Sequence, residues 1–412
     1  MTSPLSRREF LVAAAAIGGA AFVRAAETKP KHILLRSSWQ TVNIGDIAHT
    51  PGMLALIERH LPAAEVTLWP SGLSQEVRDL LLARFPKLRL AESAERQQAA
   101  LAECDFCLHG SGPGLVGAKQ LTQWQTTGKP YGFGGVTLND AELKDQRALL
   151  AGAQFIYCRD TKSLEALQAS GITGPTMEFG PDATFHLDLK DDTRAEVFLK
   201  EHSLAPKSFA CFVPRLRWTP YWKEGRKYSP EERAKREAEN EKHAESDHAK
   251  LRVAIIAWVR ETGLTALLCP EMTYQVELLK PLLFDSLPDD VKPRVIVRPS
   301  YWLTAEAAST YARAVAVVSI EMHSPIIAIA NGTPAIHVRQ PTDTRKGQMW
   351  RDVGLGEWLF EIDDSTGEQI AAQLLKLHRD PARTQATVAK SRAFTVERGR
   401  AMMAALTDAL RR

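Results

Sequence analysis

One run of residues in this sequence combines an acid and a histidine at a junction between a strand and a helix. Ser319-Ile320-Glu321-Met322-His323-Ser324 joins a predicted strand, 316–319, to a predicted helix, 325–330. A histidine at the start of such a helix points toward the ligand-binding edge of a sheet and can give or take a proton near neutral pH. A histidine that only caps the helix by bonding to backbone would produce the same pattern.

Two arginines supply a second candidate group. Arg215 and Arg217 come directly after a predicted strand, 209–213. Planar guanidinium groups at a strand end suit bidentate binding of a carboxylate or a phosphate. Surface ion pairing would look the same in the sequence.

A glycine-rich segment forms the third candidate. His109-Gly110-Ser111-Gly112-Pro113-Gly114 follows a predicted strand and precedes a predicted helix. Gly110 and Gly112 would let the backbone approach a ligand, and the helix terminus offers free N–H groups to an anion. The match to a dinucleotide fingerprint is poor, because the segment lies in the third β-α unit and contains Pro113. No NAD site is predicted.

The cysteines and histidines give little sign of a metal site. Of five cysteines, only Cys104 and Cys107 are closely spaced. An isolated C-x-x-C is a weak signal for zinc or redox chemistry, so we expect two semi-buried thiols beside a strand. No cluster of histidines and carboxylates has metal-ligand spacing, and no metal or cofactor is predicted.

The elements that position these residues alternate between short apolar strands and longer helical patterns. Five strands are predicted in each half, at 32–36, 66–69, 106–109, 131–133 and 154–158, and at 209–213, 266–269, 294–297, 316–319 and 334–338. Repeated β-α units of this length predict an α/β fold with parallel sheets covered by helices. We expect two Rossmann-like domains, 31–190 and 205–395, that face each other across a ligand cleft.

A highly charged segment interrupts the second domain. Residues 223–250 hold eight basic and eight acidic side chains and almost no large apolar ones. Ser229-Pro230-Glu231-Glu232 has the pattern of a helix start, with a serine cap and a first-turn proline. We expect a charged helical insertion that continues into an amphipathic helix at 251–262, either merely solvated or serving as a partner surface.

The first residues predict an export signal. Residues 1–26 contain Arg7 and Arg8, a short uncharged run from Leu11 to Val23, and small residues at a cleavage site. The arginine pair fits a twin-arginine signal peptide, and the apolar run is too short for a stable membrane anchor. The expected partner is therefore the twin-arginine export machinery, and the expected location is periplasmic or otherwise outside the cytoplasm.

The charge balance bears on the class of partner. The whole chain has a formal net charge of +3. Residues 1–26 account for +2 of this (three arginines and one glutamate), which leaves about +1 for the remainder. Nucleic-acid binding is not indicated.

The chain resembles the polysaccharide pyruvyl transferases over nearly its whole length beyond the leader. Seven pieces follow the family order: Asn43-Ile44-Gly45-Asp46; His109 to Gly114; Tyr131-Gly132-Phe133-Gly134; Cys158-Arg159-Asp160 with Ser163; Phe179-Gly180-Pro181-Asp182; Ser319 to His323; and Asn331-Gly332-Thr333-Pro334 with Lys346. The resemblance implies two Rossmann-like domains of the GT-B kind. It also implies transfer of pyruvate from phosphoenolpyruvate onto two hydroxyls of a glycan acceptor as a cyclic ketal.

The resemblance also implies roles for individual residues. His323 would be the acid or base, with Glu321 as the second catalytic candidate. Arg215, Arg217 and Lys346 would hold the anionic donor. Asn43, Asp46, Gly110 and Gly112 complete the expected substrate-binding set, in which the aspartate orients a loop rather than reacts.

Two departures from the family leave the donor open. Glu321 stands where the family has an arginine, and at ~4 Å a like charge costs on the order of 4 kcal/mol at an effective dielectric near 20. Phosphoenolpyruvate is also a cytosolic metabolite, whereas the leader predicts export. The alternative is an exported glycan-binding or glycosyltransferase-like protein that has lost the phosphoenolpyruvate site.

Overall fold

A computed structural model describes residues 30–412 of the protein. The predicted signal peptide, 1–26, lies outside the described residues. Within 30–412 the chain forms two parallel sheets with helices on their faces, which confirms the predicted pair of Rossmann-like domains. None of the helices in this part of the chain has the length and apolar character needed to span a membrane.

The first sheet has the strand order β3-β2-β1-β4-β5-β6-β7. Its strands are β1 His32–Ser37, β2 Glu65–Pro70, β3 Arg89–Leu90, β4 Phe106–His109, β5 Tyr131–Val136, β6 Phe155–Cys158 and β7 Thr176–Phe179. The central strand β1 pairs on both sides, so that Leu35 lies opposite Leu68 and Leu108. All its residues are buried, as expected for an apolar strand covered on both faces.

The second sheet repeats this topology with the order β10-β9-β8-β11-β12-β13. Its strands are β8 Phe209–Val213, β9 Thr265–Leu268, β10 Val295–Val297, β11 Val317–Ser319, β12 Ala335–Arg339 and β13 Leu359–Glu361. In both sheets the strand order reverses beside the first strand, β1 or β8. Such a switch point leaves a crevice at the carboxyl ends of the strands, where ligands bind.

Helices connect the strands and cover the sheets. They are α1 Ile44–His60, α2 Gln75–Arg84, α3 Ala94–Glu103, α4 Ala118–Gln125, α5 Asp140–Asp145, α6 Arg147–Ala151, α7 Thr161–Ala169, α8 Asp192–Glu201, α9 Pro230–Thr262, α10 Val276–Leu278, α11 Thr304–Arg313, α12 His323–Ala330, α13 Met349–Asp352, α14 Gly367–Arg379 and α15 Pro381–Arg411.

Helix α1 begins earlier than the sequence pattern predicts. The expected helix started at Pro51, after a polar loop, but the structure starts it at Ile44 and places Pro51 inside it. Asn43 caps the helix, and its Oδ1 accepts hydrogen bonds from Gly45 N (2.6 Å) and Asp46 N (3.3 Å). A proline interior to a helix removes one backbone bond, and here the cap and the burial of nearly the whole helix offset that loss.

The charged segment forms the predicted helix. Ser229 is the N-cap of α9, with Pro230 in its first turn, and Gly263 ends the helix with a left-handed backbone conformation. Its second half is buried through Leu251, Ile255 and Trp258, whereas most residues of the first half are exposed.

The last helix, α15, leaves the second sheet and packs on the first domain. Met402, Met403 and Leu406 belong to the same apolar core as Ile33 and Leu35 of β1. The Tyr157 hydroxyl on β6 donates to the carbonyl of Ala401 (3.3 Å). The first domain is therefore completed by the final residues of the chain.

Backbone hydrogen bonds join the two domains at the start of α1. Ile44 N donates to Glu271 O (3.0 Å), and Thr273 N donates to Val42 O (3.1 Å). The Thr304 hydroxyl of α11 donates to Ile44 O (2.6 Å). This pairing fixes the first turn of α1 against the second domain.

Gly52 lets α1 pack against the turn 183–186, and this contact generates a stability prediction. A Cβ at Gly52 would lie 2.0 Å from the carbonyl oxygen of Ala183. Gly52→Ala should therefore lower the free energy of unfolding by about 1–3 kcal/mol, measured by urea denaturation. Gly72→Ala is the matched control, because its Cβ would meet nothing closer than 3.7 Å. Equal stability of the two variants would contradict the contact.

Candidate functional site

A cavity of about 220 Å³ lies between the two domains at the carboxyl ends of their strands. Seven of the predicted site residues border it: Asn43, Asp46, Arg215, Arg217, Glu321, His323 and Lys346. The fold thus brings together residues that are far apart in the sequence. The other two, Gly110 and Gly112, do not border the cavity.

His323 is held at the first turn of α12 between carboxylates from both domains. Its Nδ1 lies 3.4 Å from Glu271 Oε1, and its Nε2 lies 3.9 Å from Asp182 Oδ2. Glu271 Oε2 also accepts a hydrogen bond from Ser324 N (2.6 Å), which anchors the carboxylate. The start of α1 packs on this ring so closely that a Cβ at Gly45 would lie 2.1 Å from it. The imidazole is thereby fixed with Nε2 toward the first domain.

Asp182 is the centre of a fully buried polar cluster on the first domain. Its Oδ1 lies 3.0 Å from His49 Nδ1 and accepts a hydrogen bond from Thr184 N (2.9 Å). Its Oδ2 accepts from Arg159 Nη1 at 2.5 Å. The Ser111 hydroxyl lies 2.7 Å from His49 Nδ1. Several partners stabilise the ionised form, which sets the pKa of Asp182 well below its usual value although burial opposes this.

The two histidines beside Asp182 have opposite pKa shifts. Their rings lie 5.0 Å apart, edge to face. Burial lowers the pKa of His49, and the Asp182 carboxylate only partly opposes this. For His323, burial also disfavours the charged ring, but Glu271 and Asp182 together raise the pKa above 6.5. His323 therefore holds a proton more readily than His49, the kind of separation that assigns acid and base roles.

Glu321 turns toward cations and amides of the second domain. Its Oε2 lies 3.3 Å from Arg215 Nε, and its Oε1 accepts a hydrogen bond from Gln275 Nε2 (2.8 Å). Burial raises the pKa of Glu321 to about 7, with Arg215 opposing the shift and Glu271 adding to it. Near neutral pH this carboxyl is protonated in a substantial fraction of molecules.

Carboxylates of the protein already pair with both predicted arginine clamps. Arg215 Nη1 lies 2.6 Å from Asp343 Oδ1, in addition to its contact with Glu321. Arg217 binds Asp247 (2.9 Å) and Asp363. These ion pairs place the arginines at the cavity wall, but much of their positive charge is compensated by carboxylates of the protein.

Lys346 and Arg159 are the cavity cations with more capacity for a ligand. Lys346 Nζ lies 3.6 Å from Asp343 Oδ1, and among residues 30–412 no other carboxylate lies within ion-pairing distance of it. The same Asp343 oxygen also binds Arg215. Arg159 is buried, borders the cavity, and has no hydrogen-bond partner for Nη2 in the described part of the chain. A buried guanidinium nitrogen without a partner is costly unless a ligand or water binds it.

The glycine-rich segment shapes the cavity without lining it. A Cβ at Gly112 would lie 2.6 Å from Trp39 Nε1, and one at Gly110 would lie 3.0 Å from Ser37 Oγ. Gly112 N also donates to Gly135 O (3.1 Å). The glycines permit close packing against β1 and β5, and only their neighbour Pro113 reaches the cavity.

A metal ion does not fit the one His-carboxylate cluster found among residues 30–412. His49, Asp182 and His323 each offer a ligand atom, all within 4.8 Å of one another. The Asp182 oxygens, however, are already occupied by Arg159 and by backbone and histidine donors. Cys104 and Cys107, expected as two semi-buried thiols, are free and fully buried, and burial raises the pKa of Cys104 to about 12.

The sequence analysis missed two residues of this site. Glu271 lies three residues after the end of β9. Arg215 was predicted from a similar position just after a strand, and the same signal could have identified Glu271. His49 lies one helical turn after Asp46, but it was outside the helix as predicted from Pro51. Arg159 and Asp182 were quoted as motif members, and their direct pairing is visible only in the structure.

A family model described as polysaccharide pyruvyl transferase matches residues 43–340 of the chain. The match includes strands β2 to β12, which belong to both sheets, and ends within the second domain. No curated protein matches the chain.

Solved structures of low sequence identity share the fold. A UDP-GlcNAc 2-epimerase from Neisseria meningitidis bound to UDP-GlcNAc aligns with a TM-score of 0.56 and 11% identity, over 92% of this chain and 100% of that one. A putative UDP-N-acetylglucosamine 2-epimerase from Listeria monocytogenes gives 0.55 and 12%, over 89% and 91%. HepE from Anabaena in complex with UDP-glucose gives 0.54 and 12%, over 92% and 99%. These similarities confirm the GT-B-like arrangement.

The raised pKa of Glu321 predicts a pH-dependent cost to stability. Its ordinary value is 4.5 and its folded value is about 7. Between these values the unfolded chain releases a proton that the folded protein keeps, so stability falls as pH rises and levels off above pH 7. The difference of 2.5 units corresponds to about 3 kcal/mol for this buried group.

Glu321→Gln removes this titration, so the variant should gain stability relative to the unmodified protein between pH 5 and pH 8. Urea denaturation at both pH values measures the change. Glu277→Gln, at an exposed carboxylate of the same domain, is the control. The same stability difference at both pH values would show that Glu321 is ionised throughout.

Proposed function

The chain belongs to the polysaccharide pyruvyl transferase family, and from this premise we propose that it transfers a pyruvyl group from phosphoenolpyruvate to two hydroxyls of a cell-envelope glycan as a cyclic ketal. The observation that carries the proposal is the arrangement around Asp182 Oδ2. The His323 imidazole, whose pKa is raised, lies 3.9 Å from this oxygen, and Arg159, whose Nη2 has no partner among residues 30–412, binds it. Both side chains border the cavity.

These groups match the charges that the reaction requires. The donor carries a carboxylate and a phosphate next to a carbon–carbon double bond. Arg159 and Lys346 supply positive charge for these anionic groups, and His323 supplies the proton. The Glu271 carboxylate on Nδ1 fixes the ring so that Nε2 is the nitrogen free to exchange a proton with the substrate.

Proton transfer from His323 to the methylene carbon begins the addition. The adjacent carbon becomes electrophilic, a glycan hydroxyl bonds to it, and His323 takes up the hydroxyl proton. The second hydroxyl then displaces phosphate from the same carbon, and its proton leaves on the phosphate. This closes the ketal and releases inorganic phosphate. The neutral His49 beside Asp182 supports this cycle by leaving the negative charge of Asp182 to Arg159 and His323.

The position of Glu321 reduces the repulsion expected from the sequence. Its carboxyl is engaged by Arg215 and Gln275, and its pKa near 7 allows a neutral form when a donor anion is bound. A bound anion would raise this pKa further, because like charges disfavour ionisation. Binding of phosphoenolpyruvate should therefore take up protons near neutral pH.

Calorimetry with phosphoenolpyruvate tests the donor site. The full chain should bind the donor below about 1 mM, and Lys346→Met should weaken binding by about tenfold. Lys162→Met, at an exposed lysine of α7, should leave binding unchanged. The absence of binding by the unmodified protein at millimolar donor would reject the proposed reaction.

A specific observation favours a second candidate function, that of an exported glycan-binding or glycosyltransferase-like protein. Arg215 and Arg217 are paired with carboxylates, and an acid occupies the position of the family arginine. In such a protein His323→Gln would leave glycan binding intact. In a pyruvyl transferase the same variant should lose at least about a hundredfold in phosphate release from phosphoenolpyruvate and glycan.

We also propose that the protein leaves the cytoplasm through the twin-arginine route. The support is the sequence of residues 1–26, with Arg7 and Arg8. Replacement of both arginines by lysine should retain the protein in the cytoplasmic fraction, as measured by fractionation and immunoblotting. Unchanged fractionation would contradict this route. It would also return the protein to the compartment that supplies phosphoenolpyruvate.

A further inference from the structure

A wall of arginine and aromatic side chains forms the outer part of the cavity. It comprises Trp218, Tyr221, Arg226, Tyr228 and Arg236, all of which border the cavity. We call this set the arginine–aromatic wall. It belongs to the segment before α9 and to the first two turns of that helix.

Aromatic rings hold both guanidinium groups of the wall. The Arg236 Cζ lies 4.4 Å from the centre of the Trp218 ring and 4.7 Å from that of Tyr228. The Arg226 Cζ lies 5.4 Å from the centre of the Tyr228 ring, so both guanidinium groups contact Tyr228. Cation–π contacts of this kind order a guanidinium group and leave its N–H donors for a ligand.

The backbone beneath the wall is fixed. Trp218 N donates to Asn240 Oδ1, and Asn240 Nδ2 donates back to Trp218 O, both at 2.8 Å. Across the cleft, Gln40 Nε2 of the first domain donates to the Tyr221 hydroxyl (3.1 Å). The wall is therefore a preorganised surface rather than a loose charged loop.

The wall has positive charge without a full set of carboxylate partners. Arg236 pairs with Glu232 one turn earlier (2.6 Å). Arg226 is exposed, and no carboxylate of residues 30–412 lies within ion-pairing distance of it. Among the described residues, the wall thus carries a net positive charge at the entrance to the cavity.

The cavity size places the body of a glycan on this wall. A volume of about 220 Å³ is below the ~300 Å³ at which small-ligand pockets usually begin. Only the reacting end of a glycan fits beside His323, and the neighbouring sugar must lie at the entrance. Because Arg236 is paired with Glu232, Arg226 is the guanidinium of the wall without a carboxylate partner among residues 30–412, and one uncompensated positive charge matches a group with one negative charge.

We propose that the arginine–aromatic wall is an acceptor subsite for an acidic glycan, which binds the carboxylate of a uronic acid next to the reacting sugar. The inference rests on the proposed function for the identity of the ligand as a glycan. It adds the chemical class of that glycan and the residues that select it, Arg226 and Arg236. A bidentate contact from each guanidinium to a sugar carboxylate supplies the selectivity.

Calorimetry of the full chain at low ionic strength tests this subsite with three probes. These are a tetrasaccharide of alternating glucuronate and N-acetylglucosamine, the neutral chitotetraose, and glucose 1-phosphate. The acidic tetrasaccharide should bind at least about tenfold more tightly than chitotetraose. Equal affinity for these two would overturn the proposal. Tighter binding of glucose 1-phosphate would overturn the choice of carboxylate over phosphate.

Variants of the wall give a second, independent measurement. Arg226→Gln should weaken binding of the acidic tetrasaccharide by about tenfold without changing that of chitotetraose, and Arg226→Lys should restore part of the loss. Because Arg226 is exposed, its replacement should not disturb folding, and a loss of binding can be assigned to the missing guanidinium. Unchanged affinity in Arg226→Gln would contradict the subsite.

Arg233→Gln is the matched control. Arg233 lies on the same helix, packs on Trp222 (5.6 Å) and pairs with Glu237, but it does not border the cavity. All of these titrations are made without phosphoenolpyruvate. Failure of pyruvyl transfer with an intact preference for the acidic tetrasaccharide would reject the proposed reaction alone, and the reverse result would reject the subsite alone.

Discussion

The structure of the site depends on one buried carboxylate, that of Asp182. Its two oxygens receive Arg159 from the end of β6, His49 from α1 and a backbone N–H from the turn that follows it. His323 of the second domain approaches the same carboxylate. Removing one partner from a buried ionic cluster leaves the others uncompensated, which is far more costly than losing a surface pair. The relative positions of helix, strand end and imidazole are therefore set by a single group.

Charge compensation elsewhere in the cleft follows the same principle. Arg215 lies between Glu321 and Asp343, and Arg217 lies between Asp247 and Asp363. Arg215 and Arg217 are thus largely charge-compensated, while Arg159 Nη2 on the first domain has no hydrogen-bond partner among residues 30–412. Glu321 stands where the family motif has an arginine, and the ionisation of its carboxyl depends on the charges around it. An imidazole from the second domain and a guanidinium from the first therefore lie next to the same carboxylate, that of Asp182.

Sequence patterns were sufficient for the sheets and insufficient for the electrostatics. Long apolar strands such as 209–213 were predicted with their observed ends, because burial on both faces leaves an unbroken apolar run. The short edge strands β3, β7 and β13 were not predicted, since two to four partly exposed residues give no such run. Helix α1 begins at Ile44 rather than at the predicted Pro51, because the residues expected as a polar loop form its capped first turns. The lining of the cavity by Arg215, Glu321 and His323 was foreseen from their positions after strands. Their ion-pair partners depend on tertiary packing between residues more than a hundred positions apart, as for Arg215 and Asp343, and a single sequence carries no pattern for that.

The path of α15 has a consequence for the order of events during synthesis. Met402 and Leu406, near the end of the chain, fill the core beneath β1, near its beginning. The core of the first domain is therefore incomplete on the ribosome until α15 has been synthesised. Because the two domains are also hydrogen-bonded across the start of α1, the cleft needs both domains in place. A chain without α15 would expose the apolar surface that Met402, Met403 and Leu406 cover.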